Sequence, residues 1–149
     1  MSATTAAGLV HRLAVAGPPD VEGFAALLGT PLQADSESPA WRFYSFEWQA
    51  GPFAGGVLRV NLAGDAALLS LSPRDPPGLT EADLDPAAWG PRRDAVPKPR
   101  ISSEGADLLV YHVNGVIVSA LWTHTSRRLV NLSIEWPTTS SSQDDAELT

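Results

Sequence analysis

The side chains best suited to moving a proton near neutral pH are the three histidines, at positions 11, 112 and 124. His112 and His124 fall on the flanking strands of an expected hairpin. With Glu135 as an orienting carboxylate or third ligand, they would supply a general base or a metal site. Their spacing argues otherwise. There is no HxH or HxxxH pattern, and pairing across Asn114-Gly115 sets His112 opposite Ile117, several rungs from His124. Both are expected to be solvent-facing strand residues. Ser45, Ser70, Ser119 and Ser133 occupy polar strand positions, and no GxSxG nucleophile elbow contains any of them. Gly55-Gly56 is not part of a phosphate-binding loop and reads as a strand start or a bulge. Cysteine is absent, which removes thiol nucleophiles, zinc–cysteine sites, iron–sulfur clusters and disulfides. No catalytic residue, cofactor or metal is expected.

One cluster is compatible with binding. Asp75, Glu81, Asp83 and Asp85 place four acids within eleven positions of a proline-rich stretch, beside Trp89. A loop stiffened by proline loses less entropy when it engages a partner. Acids around an aromatic would suit the basic active site of a nucleic-acid enzyme, by charge complementarity and steered association. These five residues are the candidate partner-binding set. The competing explanation is local, because acids at a helix start are favoured by the helix dipole. Arg92, Arg93, Lys98 and Arg100 follow directly and would neutralise part of the charge. Of the five tryptophans, 41, 48, 122 and 136 fall on or beside expected strands, where core packing explains them; Trp89 is the one able to serve as a surface anchor or to pin the loop down.

The elements that must carry these residues follow from periodicity. Ala6, Leu9, Val10, Leu13 and Ala14 recur at helical spacing. Gly17-Pro18-Pro19 breaks the chain. A second helix carries Phe24, Leu27 and Leu28 and stops at Gly29. Residues 33–39 read as a polar loop. Residues 41–48 form an aromatic-rich strand, apolar on both faces and therefore placed centrally or beneath a helix. Residues 55–61 and 66–72 pair across a turn at 63–65.

From Pro73 to Pro99 lie seven prolines, read as too many for a regular element. One short helix fits, with Thr80 as its cap, ending near Trp89-Gly90. Three strands follow: 108–113, 116–124 and 130–136. In the last of them Val130, Leu132, Ile134 and Trp136 share one face, and Asn131, Ser133 and Glu135 the other. No internal repeat is legible.

The expected fold is α+β: a mostly antiparallel sheet of about six strands, two N-terminal helices packed on one face, and a proline-rich insertion at 73–100. Residues 1–137 form a single domain, and the Ser/Thr/acid-rich 138–149 a disordered acidic tail. A chain of 149 residues buries roughly 70% of its unfolded surface, enough for a real core. The net charge of −7 speaks against binding nucleic acid, whose phosphates call for concentrated positive charge. No apolar run reaches the ~20 residues needed to cross a bilayer. The first sixteen residues lack a basic n-region, and His11 and Arg12 interrupt them; a cytoplasmic location is expected. Nine arginines against one lysine, with abundant alanine, fit a GC-rich bacterial genome.

In layout the chain resembles small bacterial immunity proteins: a leucine- and alanine-rich helical lead-in at 9–29, the strand at 41–48, the final hairpin at 116–136, an acidic balance and no chemical motif. These cytoplasmic proteins neutralise a cognate toxin from a polymorphic or contact-dependent secretion system. The resemblance implies a non-enzymatic module that binds another protein and acts by steric occlusion. It carries over no signature residue, and the basic run Arg92, Arg93, Lys98, Arg100 departs from the pattern of an acidic nuclease blocker. The alternative is a small-ligand carrier or chaperone-like adaptor, with an apolar groove between helices and sheet lined by Tyr44, Trp48 and Trp122. A homodimer through an aromatic strand face is a further expectation.

Overall fold

Along Val116–Thr123 every second residue is buried: Val116, Val118, Ala120 and Trp122 face inward, while Ile117, Ser119, Leu121 and Thr123 are half-buried on the other side. This two-residue period is the signature of a strand with one face on the core. The same alternation recurs through the computed structural model, which describes residues 6–15, 21–61, 66–74, 78–84, 86–101, 103–113 and 115–136. The expected chain break at 17–19, the turn at 63–65, Asn114 and the acidic tail at 138–149 lie outside the described residues.

The chain runs α1 (Ala6–Val15), α2 (Val21–Leu28), β1 (Gln33–Glu37), β2 (Trp41–Glu47), β3 (Phe53–Asn61) and β4 (Ala67–Pro73). It continues with α3 (Glu81–Leu84), a 3-10 turn (Pro86–Trp89), β5 (Arg92–Lys98), β6 (Ala106–Val113), β7 (Val116–Thr123) and β8 (Leu129–Trp136). The fold is α+β with one antiparallel sheet, in the order β1-β2-β3-β4-β8-β7-β6-β5.

There are eight strands, not about six. The two extra strands are the sheet's edges. β1 lies in the segment read as a polar loop and is exposed along its whole length. β5 lies in the proline-rich stretch, so the expectation that its prolines exclude a regular element fails. An edge strand pairs through one side of its backbone only, so it tolerates Pro97 and needs no apolar face. The proline-rich stretch also folds down: Leu79, Leu84 and Trp89 all join the core. The aromatic strand β2 sits second from one edge, and the central pair is β4 and β8.

A bulge changes the expected face of β8. Leu121 pairs with Asn131 but Trp122 with Leu129, so Val130 is the extra residue. Leu129 is therefore buried where Val130 was expected, while Leu132, Ile134 and Trp136 point inward as read from the sequence.

All five apolar residues of the α1 stripe are buried, and with Phe24 and Leu28 of α2 they cover the inward rows of the sheet. Each fully buried Leu or Phe contributes roughly 1.5–3 kcal/mol. Phe24 meets Trp136 edge-on, with ring centroids 5.1 Å apart. Gly29, with φ of 70°, ends α2 in the left-handed conformation that glycine adopts without strain. Gly56 is required by space: a Cβ there would collide with the Ser70 carbonyl oxygen and press on the Phe46 ring.

The strand order shows a regularity hidden in the sequence. β1–β4 and β5–β8 are two four-strand meanders joined through their last members, each preceded by helical segments. Matching registers outward from the β4–β8 seam makes Leu58 equivalent to Val118 and Tyr44 equivalent to Tyr111. The edge bulges fall at equivalent places too, between Ala34 and Ser36 against Tyr44-Phe43, and between Arg92 and Asp94 against Tyr111-Val110.

Candidate functional site

Of the five residues singled out for partner binding, Asp75 and Asp85 lie outside the described residues. Glu81 and Asp83 are exposed in the first turn of α3. Asp83 Oδ2 accepts hydrogen bonds from the Thr80 backbone N–H (2.8 Å) and hydroxyl (3.1 Å), the return half of a capping box. Trp89 is only 7% exposed and meets Tyr111 edge-to-face at 5.0 Å. Its indole packs the 3-10 turn onto the sheet instead of standing out as an anchor. Desolvation by this burial is the main reason the Tyr111 phenol is pushed above its ordinary pKa. The basic residues Arg92, Arg93 and Lys98 lie exposed along β5, and Arg100 just beyond it.

The histidines separate as their register requires. His112 pairs with Ile117, which pairs with Glu135, so a whole strand stands between His112 and Glu135. Two strand spacings are about 10 Å, beyond hydrogen-bond reach. His124 finds a different acid. Its Nδ1 lies 3.0 Å from Asp107 Oδ2, which also accepts from Arg127 Nη1 at 3.1 Å. Glu104 Oε1 accepts the N–H groups of Thr125 (2.5 Å) and Ser126 (2.7 Å), and its Oε2 accepts the Ser126 hydroxyl. These donors, Ser126 first, hold the Glu104 carboxyl below the usual range. Sequence reasoning missed this cluster. The available signal was Asp107, an acid level with buried Trp122 once Asn114-Gly115 fixes the hairpin register.

Chemically the cluster is a braced turn. The Asp107 oxygen that would orient His124 is shared with Arg127, and the Ser126 hydroxyl is already bonded to Thr123 and Glu104. Arg127, at φ 54°, is the single non-glycine residue with positive φ among those described. No group of three His, Cys, Asp or Glu side chains placed to hold a metal occurs among the described residues. No helix among them is long and apolar enough to cross a membrane. Of the aromatics expected to line a groove, Trp122 is fully buried and Tyr44 is packed against the core, while Trp48 borders a cavity.

The broadest feature is the outer face of the sheet, opposite the helices. One row crosses seven strands: Ser45, Val57, Ser70, Ser133, Ser119, Val110, Asp94. The next reads Phe43, Arg59, Leu68, Glu135, Ile117, His112. Toward the second edge, Leu121, Leu108 and Val96 stand side by side. Three serines therefore sit at the middle, flanked by larger apolar groups. Val57 is 45% exposed, and Arg59 lies over the Trp41 ring, 4.7 Å from its centroid. No described helix covers this face.

No family model, no curated protein and no solved structure matches this chain significantly.

Proposed function

We propose that this protein is a non-enzymatic protein-binding module that presents the outer face of its sheet to a partner protein. The observation that supports it is the one-sided cover: α1 and α2 pack on the inner rows, while Phe43, Val57, Leu68, Leu108, Ile117 and Leu121 remain half-buried or exposed on the outer ones. Eight strands at about 4.8 Å spacing, each roughly 20 Å long, present a face about 34 Å wide. That is the order of the roughly 800 Å² per partner that a specific interface buries. Small serines at the centre lower the floor, so an apolar element of a partner would seat between the flanking Trp41–Arg59 and Leu108–Leu121 groups. Charges there are sparse and of both signs, Arg59 against Glu135, as in the centre of an interface.

An immunity protein that occludes a bacterial toxin is the specific form of this function that the layout resemblance favours. The test is capture from the native host with the tagged chain, alongside a variant carrying Val57→Glu and Leu121→Arg. The wild type is expected to retain a partner that the variant loses, and co-expression of the wild type with a toxic neighbouring gene product should restore growth. A partner held equally by both chains would remove the outer face from consideration. A wild type that captures no protein at all would remove the function.

A further inference from the structure

The covered side of the sheet carries a separate feature that protein binding does not use. Between α1, α2 and the turn joining β2 to β3 lies a partly enclosed cavity of about 270 Å³. Leu9, Leu28, Trp48, Pro52 and Phe53 form its apolar walls, and Arg12 from the last turn of α1 stands at its margin. A cavity of about 150 Å³ accepts benzene, so this one has room for a bicyclic ring or a medium-length chain.

The walls are fixed in place. Trp48 Nε1 donates to the Leu28 carbonyl oxygen at 2.8 Å, tying strand end to helix end, and its ring meets Phe46 edge-on at 5.1 Å. Behind the turn, Arg74 donates to the carbonyl oxygens of Trp48 (2.7 Å), Gly51 (3.0 Å) and Phe53 (3.5 Å). Four backbone acceptors of the lining are thus engaged, and such preorganisation lowers the cost of binding. Arg12 differs from Arg74: it is exposed and makes no ion pair with any described residue. It is also the one charged residue of the lining among the described residues.

We infer that this cavity binds a small apolar monocarboxylate, with its ring or chain between Leu9, Leu28 and Trp48 and its carboxylate on the Arg12 guanidinium. A planar guanidinium pairs with a carboxylate through two parallel hydrogen bonds, and an apolar cleft whose described lining holds one cation and no acid selects against amines and neutral amides.

The probes are 1-naphthylacetate and its neutral counterpart 1-naphthylacetamide, titrated into the full chain by calorimetry while the Trp48 indole N–H resonance is followed by NMR. Saturable binding of the acid, about tenfold tighter than the amide, with movement of the Trp48 signal, is the expected result. Arg12→Ala should erase the preference for the acid and leave amide binding unchanged, which shows the cavity still formed. Ala50→Trp, at an exposed lining position, should abolish both. Failure of the acid to bind at millimolar concentration would overturn the inference. So would full acid affinity in Arg12→Ala, or binding that leaves Trp48 unmoved.

Discussion

The two meanders share one strand plan but fill the space beneath it differently. In the second, Trp89 lies edge-on to Tyr111, and with His11, Ala14 and Leu84 it borders a cavity of about 290 Å³. In the first, the equivalent Tyr44 is only partly buried, and Leu28 and Trp48 leave a cavity open to solvent. Their outer strands also differ: β1 carries Asp35 and Glu37, whereas β5 carries Arg92, Arg93 and Lys98 against one acid. A repeated backbone therefore does not impose a repeated surface. Both halves keep a concavity against α1, but the first is bordered by Trp48 and a cation, Arg12, and the second by Trp89 and His11.

The sharpest way to break this contrast is to truncate the corresponding plugs. Trp89→Ala removes a buried indole packed edge-on against Tyr111 and should cost about 3–5 kcal/mol. Leu28→Ala enlarges a space that water already enters, and should fall near the low end of the ~2–5 kcal/mol range for such changes. Urea denaturation of both variants gives the order. If Leu28→Ala proves the costlier, the Trp89–Tyr111 contact is not the stronger plug and the contrast fails.

Arg74 sharpens the comparison on the cavity side. Its guanidinium reaches three carbonyl oxygens of one turn, a geometry no ammonium reproduces. Arg74→Ala should lose about 1–3 kcal/mol, with faster amide exchange confined to residues 48–53. Arg74→Lys should recover little of it. Equal exchange in variant and wild type would mean that the turn holds itself.

Asp107 is the matching brace in the second half. Asp107→Asn weakens its bonds to both Arg127 and His124, and the expected loss is about 1 kcal/mol because both partners are substantially exposed. A double-mutant cycle with Arg127→Ala isolates the pair, and coupling of roughly 0.5 kcal/mol or more is expected. Zero coupling would leave the turn to Glu104 alone.

What could be read from the chain divides along the same physical line. Strands with one face on the core advertise it: β7 was legible as a hairpin strand, and the inward Leu132, Ile134 and Trp136 of β8 were legible because burial forces alternation. The helical stripe of α1 was legible for the same reason. The edges β1 and β5 were not, since backbone pairing leaves no trace in side chains that face water. The Val130 bulge was hidden because a single inserted residue keeps an apolar group at each position. Glu81 and Asp83 were placed at the helix start by their charge, but nothing in the sequence tells a buried Trp89 from an exposed one. The His124–Asp107 contact joins residues 17 apart and needs the hairpin register before it becomes visible.

The smallest effect is the acid response of the braced turn. Glu104 has its pKa depressed in the folded chain, chiefly by the Ser126 N–H and then by that of Thr125. A carboxyl whose folded value lies below its unfolded value stabilises the fold above the unfolded value. That contribution fades as pH falls through the folded value. The turn at residues 124–126 should therefore hold at neutral pH and loosen only below the ordinary carboxylate range, where Glu104 finally takes a proton. Carbon-13 NMR of the Glu104 side chain should show a midpoint below the ~4.3 of a free glutamate. Glu104→Gln should remove this part of the acid dependence while leaving the Asp107 brace intact. A midpoint at or above the free value, or an unchanged acid response in Glu104→Gln, would mean that the two backbone donors do not hold the charge, and Asp107 would be left as the chief clamp on the second half.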